Sequence, residues 1–177
     1  MRNIWERILK NENLVRHIDM SKTPTAPYQY IESIGVKDFF ENYGENLLLR
    51  LVTSEKTLSR STIREKSVNR PALAVTGYFK YFAHKRIQLF GAGEMAFFRE
   101  QSSAKRIKVI DTMASKRIPC VVVSRNLAPT PEMIETLEAK GIPLFRTSLT
   151  SKAFTTEVTV MLEERFAPRS TYHGTLL

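Results

Sequence analysis

Cys120 Val121 Val122 Val123 Ser124 Arg125 Asn126, followed by a stretch from Pro131 to Lys140, then Gly141 and Ile142 Pro143 Leu144 Phe145 Arg146, decides the fold. The unbroken β-branched run at 120–123 suits a strand covered on both faces, which is how parallel strands read. Pro131 fits the first turn of a helix, where its missing N–H costs nothing, and Gly141 fits just past the end. Residues 142–146 read as the next strand. Seventeen residues separate Ser124 from Ile142. That is room for a helical crossover, so the two strands are expected to be parallel.

The same alternation extends outward. Residues 36–43 read as a short helix, 47–52 and 87–90 as strands, and 104–113 as a helix with Ile107, Ile110 and Met113 three apart. A last helix is expected over 152–166, stopped by Pro168. The fold class is therefore α/β, a layered domain with a mostly parallel sheet flanked by helices. Residues 1–34 differ: Ile4, Trp5, Ile8 and Leu9 recur at helical spacing until Pro24 and Pro27, giving an extension with one amphipathic helix.

The chain has 177 residues, 42% hydrophobic and 25% charged, an ordinary globular composition. Its single cysteine rules out an internal disulfide. No apolar run approaches the ~18 residues of a membrane span, and the N-terminus lacks a signal peptide's apolar core. These features point to a cytoplasmic protein without a membrane partner. Lys and Arg outnumber Asp and Glu 27 to 18, for a net charge of +9. The excess is spread along the chain with no stripe of interleaved aromatics, which argues against nucleic acid and leaves phosphorylated small molecules or an acidic protein as partners.

Gly91 Ala92 Gly93 Glu94 Met95 Ala96 fits G-x-G-x-x-A, with Asp111 twenty residues on. Asp111 falls inside the helical 107–113 pattern, however, when a ribose ligand should end a strand, so the glycines read as a turn. His17, His84 and His173 have no metal-ligand spacing around them, and Cys120 reads as a buried apolar residue. No two glycines are spaced as a P-loop requires. Ligands of open α/β sheets bind beyond the carboxyl ends of the strands. Two such ends carry Ser124 Arg125 Asn126 and Arg146 Thr147 Ser148, beside the start of the helix near Ser151. Arg125, Asn126, Arg146, Thr147 and Ser148 are therefore the candidate anion-binding residues, for a phosphate or carboxylate. The alternative is that Thr147, Ser148 and Ser151 cap that helix while both arginines are solvated or salt-bridged.

Several segments in order resemble one family. Asn69 Arg70 Pro71 Ala72 Leu73 Ala74 Val75 Thr76 Gly77 Tyr78 Phe79 and Arg86 Ile87 Gln88 Leu89 Phe90 Gly91 resemble the RPGL-x-L-x-GFF and RIQ-x-x-G segments of the HPr kinase/phosphorylase N-terminal domain. Residues 118–127, 142–148 and 167–174 resemble its later segments. Ala72 stands where the family has Gly, and residues 1–34 fall outside the resemblance. The resemblance implies an N-terminal domain at 35–167, with 168–177 as linker and first strand of an absent C-terminal kinase domain. It implies a regulatory or assembly role in a bifunctional enzyme of carbon catabolite repression, with a fold like the UDP-sugar-binding domain of the Mur ligases. The full-length enzyme phosphorylates a serine of HPr with ATP and Mg and reverses this by phosphorolysis, as a hexamer. His173 matches a catalytic histidine of that enzyme. No cofactor is expected on this segment, which should be inactive alone; the other reading is a stand-alone sensor of a phosphorylated sugar or nucleotide.

Overall fold

The computed structural model describes residues 33–167. The expected helix within 1–34 and the 168–177 tail with His173 lie outside the described residues, apart from Ser33 and Ile34. The strands are β1 (Ile34–Gly35), β2 (Leu49–Leu51), β3 (Thr62–Ile63), β4 (Val68–Asn69), β5 (Ile87–Phe90), β6 (Val121–Val123) and β7 (Leu144–Thr147). The helices are α1 (Val36–Tyr43), α2 (Ala72–Val75), α3 (Ala92–Glu100), α4 (Ser103–Ser115), α5 (Pro131–Lys140) and α6 (Ser151–Arg165), with a 3-10 turn at Glu55–Arg60. Five strands form one sheet in the order β2-β7-β6-β5-β4, and β1 pairs separately with β3.

Every pairing among β4, β5, β6 and β7 is parallel, including β6 with β7 as the crossover length requires. Only β2 runs antiparallel, along the edge of β7. Expected over 47–52, that strand occupies only Leu49–Leu51 because Leu48 turns into the left-handed region at φ 49°. The strand after α5 starts at Leu144, two residues later than expected, following Ile142 and Pro143.

Side chains alternate across the sheet and separate two apolar layers. Val122, Leu89 and Phe145 pack with Phe39 of α1 and with Phe154, Val158 and Leu162 of α6. Val121, Val123, Phe90 and Leu144 pack with Met95 and Phe98 of α3, Ile110 and Met113 of α4, and Leu137 of α5. The strand β6 is thus buried on both faces, which is why it is valine throughout. Gln88 is the exception in β5, buried yet paired: its amide donates to the carbonyls of Ala83 and Arg86 at 2.9 and 2.7 Å and accepts from Asn69 at 2.7 Å.

Local signals set the helix ends. The Thr130 side chain caps α5 ahead of Pro131, and Gly141 closes it at φ 67°. The Thr150 hydroxyl caps α6 by accepting from the Ala153 amide at 3.2 Å.

Candidate functional site

The carboxyl ends of β6 and β7 meet at one edge of the sheet, and their loops are tied together by backbone. Arg125 and Asn126 both take left-handed conformations, φ 58° and 53°. Their amides donate to the carbonyls of Leu149 and Thr147 at 2.8 and 2.7 Å. Of the five candidate residues, Asn126, Arg146 and Ser148 line one depression of about 280 Å³. Arg125 is exposed and lies outside that lining. Thr147 is buried: its hydroxyl donates to the Leu47 carbonyl at 2.7 Å and accepts from the Leu149 amide at 3.1 Å. That geometry pins β2 to β7 and shapes the loop before α6. The cap of α6 is Thr150 rather than Thr147, Ser148 or Ser151.

The depression has a cationic member that the sequence did not point to. Arg50 on β2 is the register partner of Arg146 on β7, so two guanidinium-bearing residues stand opposite each other across an antiparallel pair. Like charges so placed are destabilising unless something anionic comes between them. Glu45 lines the same depression but forms no ion pair with either arginine. Arg146 donates to the Asn126 carbonyl, while its Nε is buried without a partner.

A second polar cluster sits at the ends of β4, β5 and β6. The Glu94 carboxylate, on a side chain only 4% exposed, accepts from the Gly91 amide at 3.0 Å and from Arg70 at 2.8 Å. The Ser124 and Ser151 hydroxyls share a hydrogen bond of 2.8 Å. Gly91 is crowded into this cluster: a Cβ there would lie 2.6 Å from Ser151 Oγ and 3.0 Å from a Glu94 oxygen. The amide that a dinucleotide fingerprint offers to pyrophosphate is therefore already held by a carboxylate of the same helix. Asp111 sits within α4 and pairs with Lys140 at 2.7 Å. Sequence reading missed this Arg70–Glu94 pair, although the glutamate three residues after Gly91 is a helix-start signal.

Among the described residues no group of three or more His, Cys, Asp or Glu is placed to hold a metal ion. Burial pushes the Cys120 thiol well above its ordinary pKa. No helix among them is long and apolar enough to cross a membrane.

Comparison with known proteins adds identity to this geometry. HPr kinase/phosphorylase of Caldicellulosiruptor bescii is 34% identical over 133 residues, 75% of this chain and 43% of that protein. The enzyme of the same name from Listeria monocytogenes is 36% identical over 146 residues, 82% of this chain and 45% of that protein. The chain thus spans less than half the length of these relatives. A crystal structure of the CBS and DRTGG domains of the regulatory region of Clostridium perfringens pyrophosphatase, complexed with the activator diadenosine tetraphosphate, matches with a TM-score of 0.48 at 15% identity, over 69% of this chain and 46% of that one. The model of the family described as HPr Serine kinase N terminus matches residues 34–162, covering β1 through most of α6, and the chain belongs to that family.

Proposed function

We propose that this chain is the N-terminal, regulatory or assembly domain of a bifunctional HPr kinase/phosphorylase acting in carbon catabolite repression in the cytoplasm. The enzyme would transfer phosphoryl from ATP to a serine of HPr and reverse this by phosphorolysis, as a hexamer joined through its catalytic domain. The single observation that carries this reading is the family match over 34–162, together with relatives more than twice the matched length. The layered sheet is in keeping with a likeness to the Mur ligase UDP-sugar-binding domain.

ATP and Mg would belong to the catalytic domain and not to this segment. Phosphoryl transfer needs a phosphate cradle, metal ligands and a base held together. Here the helix start at Gly91 and Gly93 has its amide taken by Glu94, and among the described residues no group of three or more His, Cys, Asp or Glu is placed to hold a metal. His173 would serve the reaction only with the catalytic domain around it. The 177-residue chain, mixed with HPr, ATP and Mg, is therefore expected to leave HPr unphosphorylated, and to copurify with the catalytic half of the Listeria relative when the two are coexpressed. ATP-dependent phosphoserine on HPr from this chain alone would overturn the proposal.

A second reading, a sensor of a phosphorylated sugar or nucleotide, rests on the facing Arg50 and Arg146. Asn126, Arg146 and Ser148 would hold the phosphate, with Thr147 fixing the loop and Arg125 reaching in from beside it. A ligand at about a hundred times its Kd stabilises the folded state by about 2.7 kcal/mol. A thermal-shift screen of phosphometabolites should then raise Tm by several degrees, and Arg146→Ala should abolish the rise. A rise that survives Arg146→Ala would rule out this site.

A further inference from the structure

A cavity of about 490 Å³ opens at the other end of the sheet, where the parallel strands begin: Lys85 precedes β5, Ile118 precedes β6 and Ile142 precedes β7. Its wall is basic from several sides. Arg60 closes the 3-10 turn and Arg64 follows β3, Lys116 and Arg117 follow α4, and Lys140 ends α5. With Lys85 these make six fixed cations, and no aspartate or glutamate lines the cavity.

The plain explanation is that cations gather at helix C-termini, and α4 and α5 both end here. Its magnitude falls short. Two helix ends supply about half a negative charge each, and Asp111 answers Lys140 at 2.7 Å. Some four positive charges of the six remain unbalanced on that count. Moreover Arg60, Arg64 and Lys85 belong to neither helix. The backbone also brings these groups together: Gly141 has no side chain, and an atom at its Cβ position would lie 3.3 Å from the Arg60 guanidinium. Arg117 is held left-handed at φ 58°, just past Lys116, the C-cap residue of α4. A concave wall of one charge sign concentrates the field and draws in counter-ions.

We propose that this cavity binds a small anion carrying two or more phosphate groups. The volume lies in the range of small-molecule sites, about 300–1,000 Å³. Cations converging from four chain segments match several phosphates better than one. A concave site between helix ends offers no protruding element for a nucleic-acid groove. The proposal goes beyond the domain's place in the kinase and uses none of the residues around Arg146.

Isothermal titration calorimetry of the full 177-residue chain with inorganic triphosphate, at fixed ionic strength, tests it. The expected result is saturable one-to-one binding at least about tenfold tighter than sulfate or orthophosphate, since phosphate contacts by Lys and Arg add with charge. Lys85→Gln and Lys116→Gln, both at exposed positions, should each weaken it about fivefold or more. Lys116→Arg should retain it, and Arg146→Ala should leave it unchanged. Absence of saturable binding, equal affinity for sulfate, indifference to the two Gln substitutions, loss on Arg146→Ala, or tighter competition by a DNA duplex would each overturn the proposal.

Discussion

Arg106 and Glu132 meet between α4 and α5 at 2.5 Å, with side chains 19% and 14% exposed. The Arg106 guanidinium first, then the backbone amide of Glu132 and the Ser103 hydroxyl, hold the Glu132 carboxyl down at about 2 from an ordinary 4.5. A folded-state pKa below the unfolded one means that the ionised carboxylate stabilises the fold. That stabilisation is complete above pH 4.5 and disappears as pH falls toward 2. The Ser54 hydroxyl, and after it the Ser54 amide, lower Glu138 in the same direction. Glu132→Gln should therefore lower Tm at neutral pH and flatten the decline of Tm through the acid range. Melting curves at closely spaced pH values read this directly. Parallel wild-type and variant profiles would show that Glu132 does not titrate in this way. The benefit is limited by one-sided geometry, since Arg106 Nε and the other Glu132 oxygen are buried without partners.

At the scale of elements, what the sequence displayed was whatever carries its own punctuation. Residues 131–140 read as a helix to the residue because Pro131 and Gly141 bracket it. The central strands read because short, mostly apolar runs are buried whole. Three kinds of element left no such mark. The strands β1, β3 and β4 have two residues each, too few for any alternation. The helix α3 buries only Glu94, Met95 and Phe98, while Phe97 is 39% exposed, so it shows no apolar stripe. The edge strand β2 was overextended because nothing in Gly44 Glu45 Asn46 Leu47 Leu48 announces a left-handed turn at a leucine. The candidate site divides along the same line. The strand ends bearing Arg125 and Arg146 could be located from local pattern. The juxtaposition of Arg146 with Arg50 depends on an antiparallel pairing of residues 96 positions apart, which leaves no local trace.

At the scale of the whole molecule, the sheet is a wall between two apolar layers, and the question is whether they melt together. Phe154 of α6 and Phe98 of α3 are both fully buried, in different layers. Truncating a buried Phe to Ala costs about 3–5 kcal/mol, and a domain's stability is about 5–15 kcal/mol. Because the two rings share no neighbours in their layers, their costs should add to within about 0.5 kcal/mol. Phe98→Ala and Phe154→Ala are each expected to leave a folded domain with a lower urea midpoint. The double variant, destabilised by about 6–10 kcal/mol on these values, should have its urea midpoint lowered by the sum of the two single shifts. Hydrogen exchange distinguishes the outcomes, since β5, β6 and β7 contribute side chains to both layers. If Phe98→Ala releases only the amides of α3, α4 and α5 while those of α1 and α6 stay protected, the layers are separate cooperative units and the single-wall account fails. If protection falls by the same free energy in all of them, the valines of β6 are what couples one face to the other.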